Sequence, residues 1–353
     1  MNTKTDPHNY GVDLLRIVAM LMIAAHHFSL HSGLPFEQGS FPDVLMGILT
    51  LGGKTGTNIF VLITGFYASG RIRYEKVFGL IGCATLYSLV LTAAALLTGS
   101  VAFSMKMLIK AAVPLLFGKT YWFVAIYLEL YILMPALNWV VERLERSEYR
   151  NYLILFAGIL CFLPKVAGRF IYVNDLGYSE LVWFVYLYFL GAYLRKYGVS
   201  CRKSRFLLVW ICGAAFQIAA CVLLRCGKVG GLAERILECA ADYSANALFP
   251  LLIAVSMLLW FQTAEVPGCR SFVRLLGSAT LGVYLFHDNI NFRGWLWQKV
   301  FRAMSGAGTW PFALSAVLSI LAVFVLGFAV ELLRAASAKY LRRVIGKFST
   351  RKN

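Results

Sequence analysis

The first long apolar stretch of the chain, residues 12–30, constrains the fold more than any other feature. It is long enough to cross a bilayer as one helix, because about 20 residues at roughly 1.5 Å each span the hydrocarbon core. Several later stretches are equally apolar and about as long. Lipid offers the backbone no hydrogen-bond partners, so such spans are helical. The sequence therefore predicts an all-α, polytopic membrane protein.

About ten apolar runs qualify as candidate membrane spans. They cover residues 12–30, 54–70, 76–98, 121–141, 151–168, 180–197, 206–225, 245–262, 272–290 and 311–335. The segment 104–117 carries two lysines, which favour a helix lying at the membrane interface. The domain organisation that follows is a leader at residues 1–11, a transmembrane domain at residues 12–335 and a basic tail at residues 336–353.

The charge pattern predicts the topology. The chain has a net charge of +17, but its basic residues lie in short loops between apolar spans, which excludes a nucleic-acid-binding domain. With ten spans both termini lie on one side, and most of the 34 lysines and arginines fall on that same side. Because basic loops stay in the cytoplasm, we expect both termini to be cytoplasmic.

Ionisable side chains lie near both ends of the first span. Arg16 is near its start, and His26 and His27 are near its end. The separation of Arg16 and His27 places them within roughly 20° on one helix face and about 16 Å apart along the axis. His31 falls on the same face, whereas His26 points about 80° away. Ionisable groups at membrane depth are costly, so each is a candidate for function.

Each of these residues also has a structural interpretation. Arg16 is close enough to the helix end for its side chain to reach the headgroups, and this could be its whole role. His27 could form an ordinary hydrogen bond between helices. Two costly residues on one face nevertheless favour a shared polar cavity.

Four further residues are weaker candidates. Glu129 lies within a span and could balance Arg16 or a histidine, or form a structural hydrogen bond. His287, followed by Asp288, closes the ninth span; this end could line the cavity mouth, but a solvated helix end is the favoured interpretation. Tyr121 and Trp122 could contact a substrate such as an acyl donor, although aromatic residues at span ends usually form an interfacial belt.

The cysteines give no sign of a metal site. The chain has 8 cysteines but no CxxC pair or Cys/His cluster, so we expect no zinc or other metal. Cys226 and Cys239 share one predicted loop, and the sequence leaves their pairing open.

The succession of short motifs resembles one known family. Asp13-x-x-Arg16, followed by His27 after ten intervening residues, is similar to the first-helix signature of acyltransferase family 3. Its members are integral-membrane enzymes that acylate sugars, polysaccharides and other small hydroxyl acceptors. Later stretches resemble the family in the same order over nearly the whole chain: Gly56–Phe66 (with Thr64 in place of serine), Tyr121–Phe123, Tyr188–Leu194 and Ser278–His287.

Acyl transfer from a thioester to a hydroxyl needs a base and an anchor for the donor. The resemblance implies that His27, with Arg16 nearby, serves as the base that deprotonates the acceptor hydroxyl. Arg16, Arg71, Arg73 and Lys76 cluster at the predicted cytoplasmic ends of the first three spans, where the phosphates of cytosolic acetyl-CoA would arrive.

The basic turn departs from the family pattern. Many members carry Arg-x-x-Arg here, whereas this chain has Arg71-x-Arg73 and Arg73-x-x-Lys76. This departure leaves the role of the turn open, and an ordinary positive-inside loop is the alternative.

We therefore expect a multi-pass O-acyltransferase of the cell membrane, in the inner or cytoplasmic membrane of a bacterium. Its expected partners are acyl-CoA, a carbohydrate or small hydroxyl acceptor and the lipid bilayer, with no nucleic acid. The choice between acetyl and succinyl stays open, as does a homo-oligomer. The alternative is a transporter or sensor that uses the same polar cavity without chemistry. The lack of paired broken helices argues against a standard transporter fold.

The topology can be tested by cysteine labelling. In intact cells, a Ser40→Cys variant without the native cysteines should react with a membrane-impermeant thiol reagent, because the loop at residues 31–53 is predicted to face out. Ser147→Cys, in a basic loop, should react only after the cells are opened. Labelling of Ser40→Cys solely from the cytoplasmic side would contradict this topology.

Overall fold

The chain folds entirely into helices where its structure is described. The computed structural model describes residues 8–33, 36–67, 72–116, 120–171, 178–227, 229–301 and 309–349. It is 80% helix, and these residues contain no strand. The all-α prediction is therefore confirmed.

The main helices follow one another with short connections. They are α1 (Tyr10–His31), α2 (Phe41–Phe66), α3 (Tyr74–Leu97), α4 (Met105–Ala112), α5 (Trp122–Arg143), α6 (Arg146–Ala157), α7 (Glu180–Tyr197), α8 (Lys203–Cys226), α9 (Gly231–Ala241), α10 (Leu248–Phe261), α11 (Arg270–His287) and α12 (Thr309–Ser349). A π-helical turn at Gly158–Phe162 extends α6 to Lys165. Another, at Leu296–Val300, follows α11.

Each of the predicted spans coincides with a helix. Within the described residues, 7 helices are long and apolar enough to cross a membrane. The helices at the other three predicted spans are α7, α10 and α11. Of these, α7 and α11 carry charged residues at their ends, and α10 has only 14 residues. A multi-pass membrane protein is thus supported, while the number of ten spans and the side of the termini stay predictions.

The second span begins much earlier than residue 54, where it was predicted to start. The side chain of Ser40 caps α2 by accepting from the backbone N–H of Asp43. Asp43 also pairs with Arg225 of α8. The glycines that weaken the helix signal here are contact points: a Cβ on Gly53 would overlap the ring of His26. The glycines lower the helix propensity of this segment, but they allow the neighbouring helix to pack closely against it.

The first helix lies at the centre of the bundle. It contacts α2, α10, α11 and α12. On the far side of α2, Gly65 faces Gly191 of α7, and a Cβ on either residue would meet the backbone of the other helix. The carboxyl-terminal half of α1 consequently lies between α2 and α11, whose residues complete the site described below.

The remaining predictions about the chain have mixed outcomes. Segment 104–117 contains the short helix α4, while its position at the membrane interface stays a prediction. The last helix continues to Ser349, so residues 336–349 of the predicted tail are helical. Cys226 and Cys239 are both free. Residues 1–7 of the predicted leader lie outside the described residues.

Candidate functional site

One cavity runs beside the first helix. Its volume is about 610 Å³, and its walls come from α1, α2, α5, α11 and the turn after α11. Arg16, His27 and His31 all line it, as their shared helix face predicts. These residues extend over about 22 Å of helix, at roughly 1.5 Å per residue. The cavity therefore connects the Arg16 end of the helix with its histidine end.

His27 is part of the polar wall of the cavity, and it contacts His287, which is buried behind the wall. Nδ1 of His287 lies 2.6 Å from the carbonyl oxygen of Val283, and Nε2 of His287 lies 2.9 Å from Nδ1 of His27. A carbonyl only accepts, so Nδ1 of His287 carries a proton, and Nε2 of the neutral ring accepts from His27. The hydrogen-bond network thus assigns the protonated nitrogen of His27 to Nδ1. Its Nε2 is left with a lone pair.

The free nitrogen of His27 faces a buried carboxylate. Nε2 of His27 and Nε2 of His31 each lie 3.9 Å from Oδ1 of Asp288. Arg293 approaches the same oxygen at 3.0 Å and fixes the carboxylate in place. Because 3.9 Å is too long for a direct hydrogen bond, both atoms are open to a hydroxyl group that lies to one side of them in the cavity.

The interpretation of His287 as a solvated helix end is wrong. Its exposed fraction is 0%. The chain folds back after α11, and the indole N–H of Trp297 donates to the carbonyl oxygen of His287 at 3.2 Å. Trp297 is itself fully buried. A helix end that another turn covers cannot be recognised from the residues of that helix alone.

His26 is held by the neighbouring helix. Its Nδ1–H donates to the carbonyl oxygen of Thr50 at 2.7 Å, which joins α1 to α2. Its ring packs against Gly53 and also forms part of the cavity wall. His26 and His27 thus each use Nδ1 in a contact between helices, and the two rings differ in that Nε2 of His27 faces the Asp288 carboxylate.

The other end of the cavity contains a fixed arginine. Nη1 of Arg16 donates to Oδ1 of Asp13 at 2.6 Å, and the second oxygen of Asp13 lies 2.5 Å from Nε2 of His8. Asp13 is buried and packs against Gly277 of α11. Asp13 thus binds the guanidinium of Arg16, which lines the cavity.

Two described residues of the basic turn, Arg73 and Lys76, do not line the cavity. Arg71 lies outside the described residues, and Arg73 and Lys76 are exposed at the start of α3. The backbone N–H of Arg73 donates to the hydroxyl of Tyr131 at 3.2 Å. Tyr127, one turn earlier on α5, lines the cavity together with Arg16. Arg73 is therefore next to the Arg16 end of the cavity, outside it.

The remaining candidates, Tyr121, Trp122 and Glu129, differ in their position relative to the cavity. Tyr121 is buried; its hydroxyl donates to the carbonyl oxygen of Leu285 at 3.0 Å and accepts from Asn289 at 2.9 Å. It anchors α5 to α11 and does not line the cavity. Trp122 does line the cavity. Glu129 is exposed on α5 and is not part of the cavity wall, so the structure does not pair it with Arg16.

Two charged residues of the cavity wall, Lys54 and Arg293, were not among the candidates from the sequence, whereas Asp288, beside His287, was considered and does line the cavity. The ammonium of Lys54 lies 3.9 Å from the centroid of the Trp122 ring. It was overlooked because it stands at the predicted edge of the second span, where lysines are common flanking residues. The sequence did offer one signal: Lys54 has long helix-forming sequence on both sides, which indicates a position inside a span.

Three side chains near the end of the cavity are of the kind that bind metals. The ligand atoms of His27, His31 and Asp288 lie within 4.8 Å of one another. The guanidinium of Arg293 already occupies one side of the carboxylate, and its positive charge would oppose a bound cation. The expectation of no metal stays a prediction.

The comparisons with known proteins agree with the motifs. A family model described as an acyltransferase domain matches residues 9–332. The matched region runs from the cap of α1 into α12 and contains every residue that lines the cavity. No curated protein and no solved structure matches the chain.

Proposed function

The chain belongs to acyltransferase family 3, and from this premise we propose that it transfers an acyl group from acyl-CoA to a hydroxyl acceptor inside the membrane. We propose His27 as the general base. The observation that carries the proposal is the hydrogen bond from His27 to His287, because it leaves Nε2 of His27 free to take a proton in the cavity.

The proposed reaction has two proton transfers. Nε2 of His27 takes the proton of the acceptor hydroxyl as its oxygen attacks the thioester carbonyl carbon. The carbon–sulfur bond then breaks, and the leaving thiolate receives that proton from His27. Between these steps the imidazolium keeps its Nδ1–H bond to His287, and the Asp288 carboxylate lies near its positive charge. The base thus returns to its starting state.

The donor is proposed to enter from the Arg16 end. Arg16, oriented by Asp13, would bind the phosphates of the donor together with Arg71, Arg73 and Lys76 at the adjacent cytoplasmic turn. The pantetheine arm would then follow the roughly 16 Å from Arg16 to His27. The acceptor would bind at the opposite end, beside Asp288 and Arg293. We propose acetyl as the acyl group and a sugar or polysaccharide hydroxyl as the acceptor, on family resemblance alone.

The continuous cavity is also compatible with a second function, that of a transporter or sensor. A carrier needs a polar path between its two ends, and this cavity extends along most of α1. The two functions differ in one observable. Transfer of label from acetyl-CoA to an acceptor by the purified protein in detergent, where no membrane separates two compartments, supports the enzyme.

The base can be tested by comparing the two adjacent histidines. His27→Ala should lower the transfer rate by about 10²- to 10⁴-fold, because general-base catalysis is lost, while acyl-CoA binding stays nearly unchanged. The matched control is His26→Asn, whose amide N–H can still donate to Thr50. It should cost much less. Full loss in His26→Asn with activity retained in His27→Ala would contradict the assignment.

The donor site can be tested by binding alone. Arg16→Ala and Arg73→Ala should each weaken acetyl-CoA binding, by up to about 1.5–3 kcal/mol, the range for a hydrogen bond to a charged group. The effect at exposed Arg73 should be the smaller, because water screens its charge. Arg150→Ala, an exposed arginine on α6, is the control and should not change the affinity. Unchanged affinity in single variants of Arg16, Arg71 and Arg73 would reject this site.

A further inference from the structure

A lysine of the second helix takes no part in the reaction as described so far. Lys54 belongs to α2, a helix long and apolar enough to span the membrane. A charged side chain at such a position is costly, which makes it a candidate for function. Lys54 lines the same cavity as His27, with its ammonium over the ring of Trp122. It therefore borders the space in which the proposed reaction takes place.

The charge of Lys54 is not neutralised by an ion pair. The acidic residues whose charges act on it are Glu180 and Asp288. In the described part of the chain neither carboxylate is in ion-pair contact with its ammonium, and Asp288 is bound to Arg293. The face of the Trp122 ring attracts the ammonium but carries no net charge. The positive charge of Lys54 is thus available to an anion inside the cavity.

The depth of Lys54 distinguishes it from the donor-phosphate site. Thr50, whose carbonyl oxygen accepts from His26, is one helical turn before Lys54 on α2. Gly53, the residue before Lys54, packs against the ring of His26. Lys54 is therefore at the depth of the histidine pair, whereas Arg16 is roughly 15 Å away along α1. A donor whose phosphates bind at Arg16 brings only its thioester end to Lys54.

We propose that Lys54 is a catalytic residue that stabilises the negatively charged oxygen of the acyl-transfer intermediate. The inference rests on the proposed function. As the acceptor oxygen bonds to the thioester carbon, the electron pair of the C=O π bond moves to the carbonyl oxygen. The Lys54 ammonium donates a hydrogen bond to that oxygen and keeps its own proton. When the C=O bond re-forms, the thiolate leaves and the interaction weakens. Such a contact acts on the transition state more than on the bound substrate.

The test compares two substitutions of Lys54 in the full-length protein. Lys54→Met removes the charge from a side chain of similar length, and Lys54→Arg keeps it. Lys54→Met should lower kcat by about 10²- to 10³-fold, the usual effect of losing one oxyanion donor, with KM for acetyl-CoA within a few-fold of wild type. The kcat of Lys54→Arg should be at least tenfold higher than that of Lys54→Met. Lys110→Met, on the exposed part of α4, is the control and should keep wild-type kcat.

Other outcomes overturn the assignment. A raised KM with unchanged kcat would show that Lys54 binds donor phosphate. Equal kcat in wild type and Lys54→Met, or an equal loss in Lys54→Met and Lys54→Arg, would show that its charge does not act in catalysis. If Lys54→Met does not elute as a folded protein, Lys54→Gln replaces it under the same criteria. Failure of the proposed function looks different: wild-type protein would transfer no acyl group, or His27→Ala would remain active.

Discussion

The hydrogen bond between His27 and His287 is the interaction on which the site depends. It joins the last turns of α1 to the end of α11, and the two histidines are 260 residues apart in sequence. Both rings are buried, so neither can exchange its partner for water at low cost. The bond to Val283 determines the protonated nitrogen of His287, and through it that of His27. A general base with a defined lone pair follows from this network.

The same physical constraint explains the rest of the cavity wall. Polar groups in a membrane domain need partners, and most of the charged groups here have one that also fixes their direction. Asp13 holds Arg16 at one end of the cavity, and Asp288 holds Arg293 at the other. Among the described residues, the contact that faces the ammonium of Lys54 is the Trp122 ring, which carries no net charge and leaves the ammonium open to a ligand.

Local sequence was sufficient for the parts of the fold that depend on one helix at a time. Apolar runs predicted the helices, and the helical repeat predicted that Arg16, His27 and His31 share one face. Contacts between distant segments could not be predicted in this way. The burial of His287 depends on a turn that folds back over it, and the start of α2 was missed because glycines such as Gly53 pack closely there. The same limitation applies to Lys54, which becomes a cavity residue only through helix packing.

The role of the histidine pair is tested most directly by the acyl-transfer rate of two variants at position 287. His287→Gln offers a carbonyl oxygen that can accept from Nδ1–H of His27, whereas His287→Leu offers no acceptor. His287→Leu should lose about 10²- to 10⁴-fold in kcat, because the tautomer of His27 is no longer fixed, and His287→Gln should be at least tenfold faster than His287→Leu. Both should bind acetyl-CoA as wild type does. Wild-type kcat in His287→Leu, or equal loss in the two folded variants, would contradict the central role of the histidine pair.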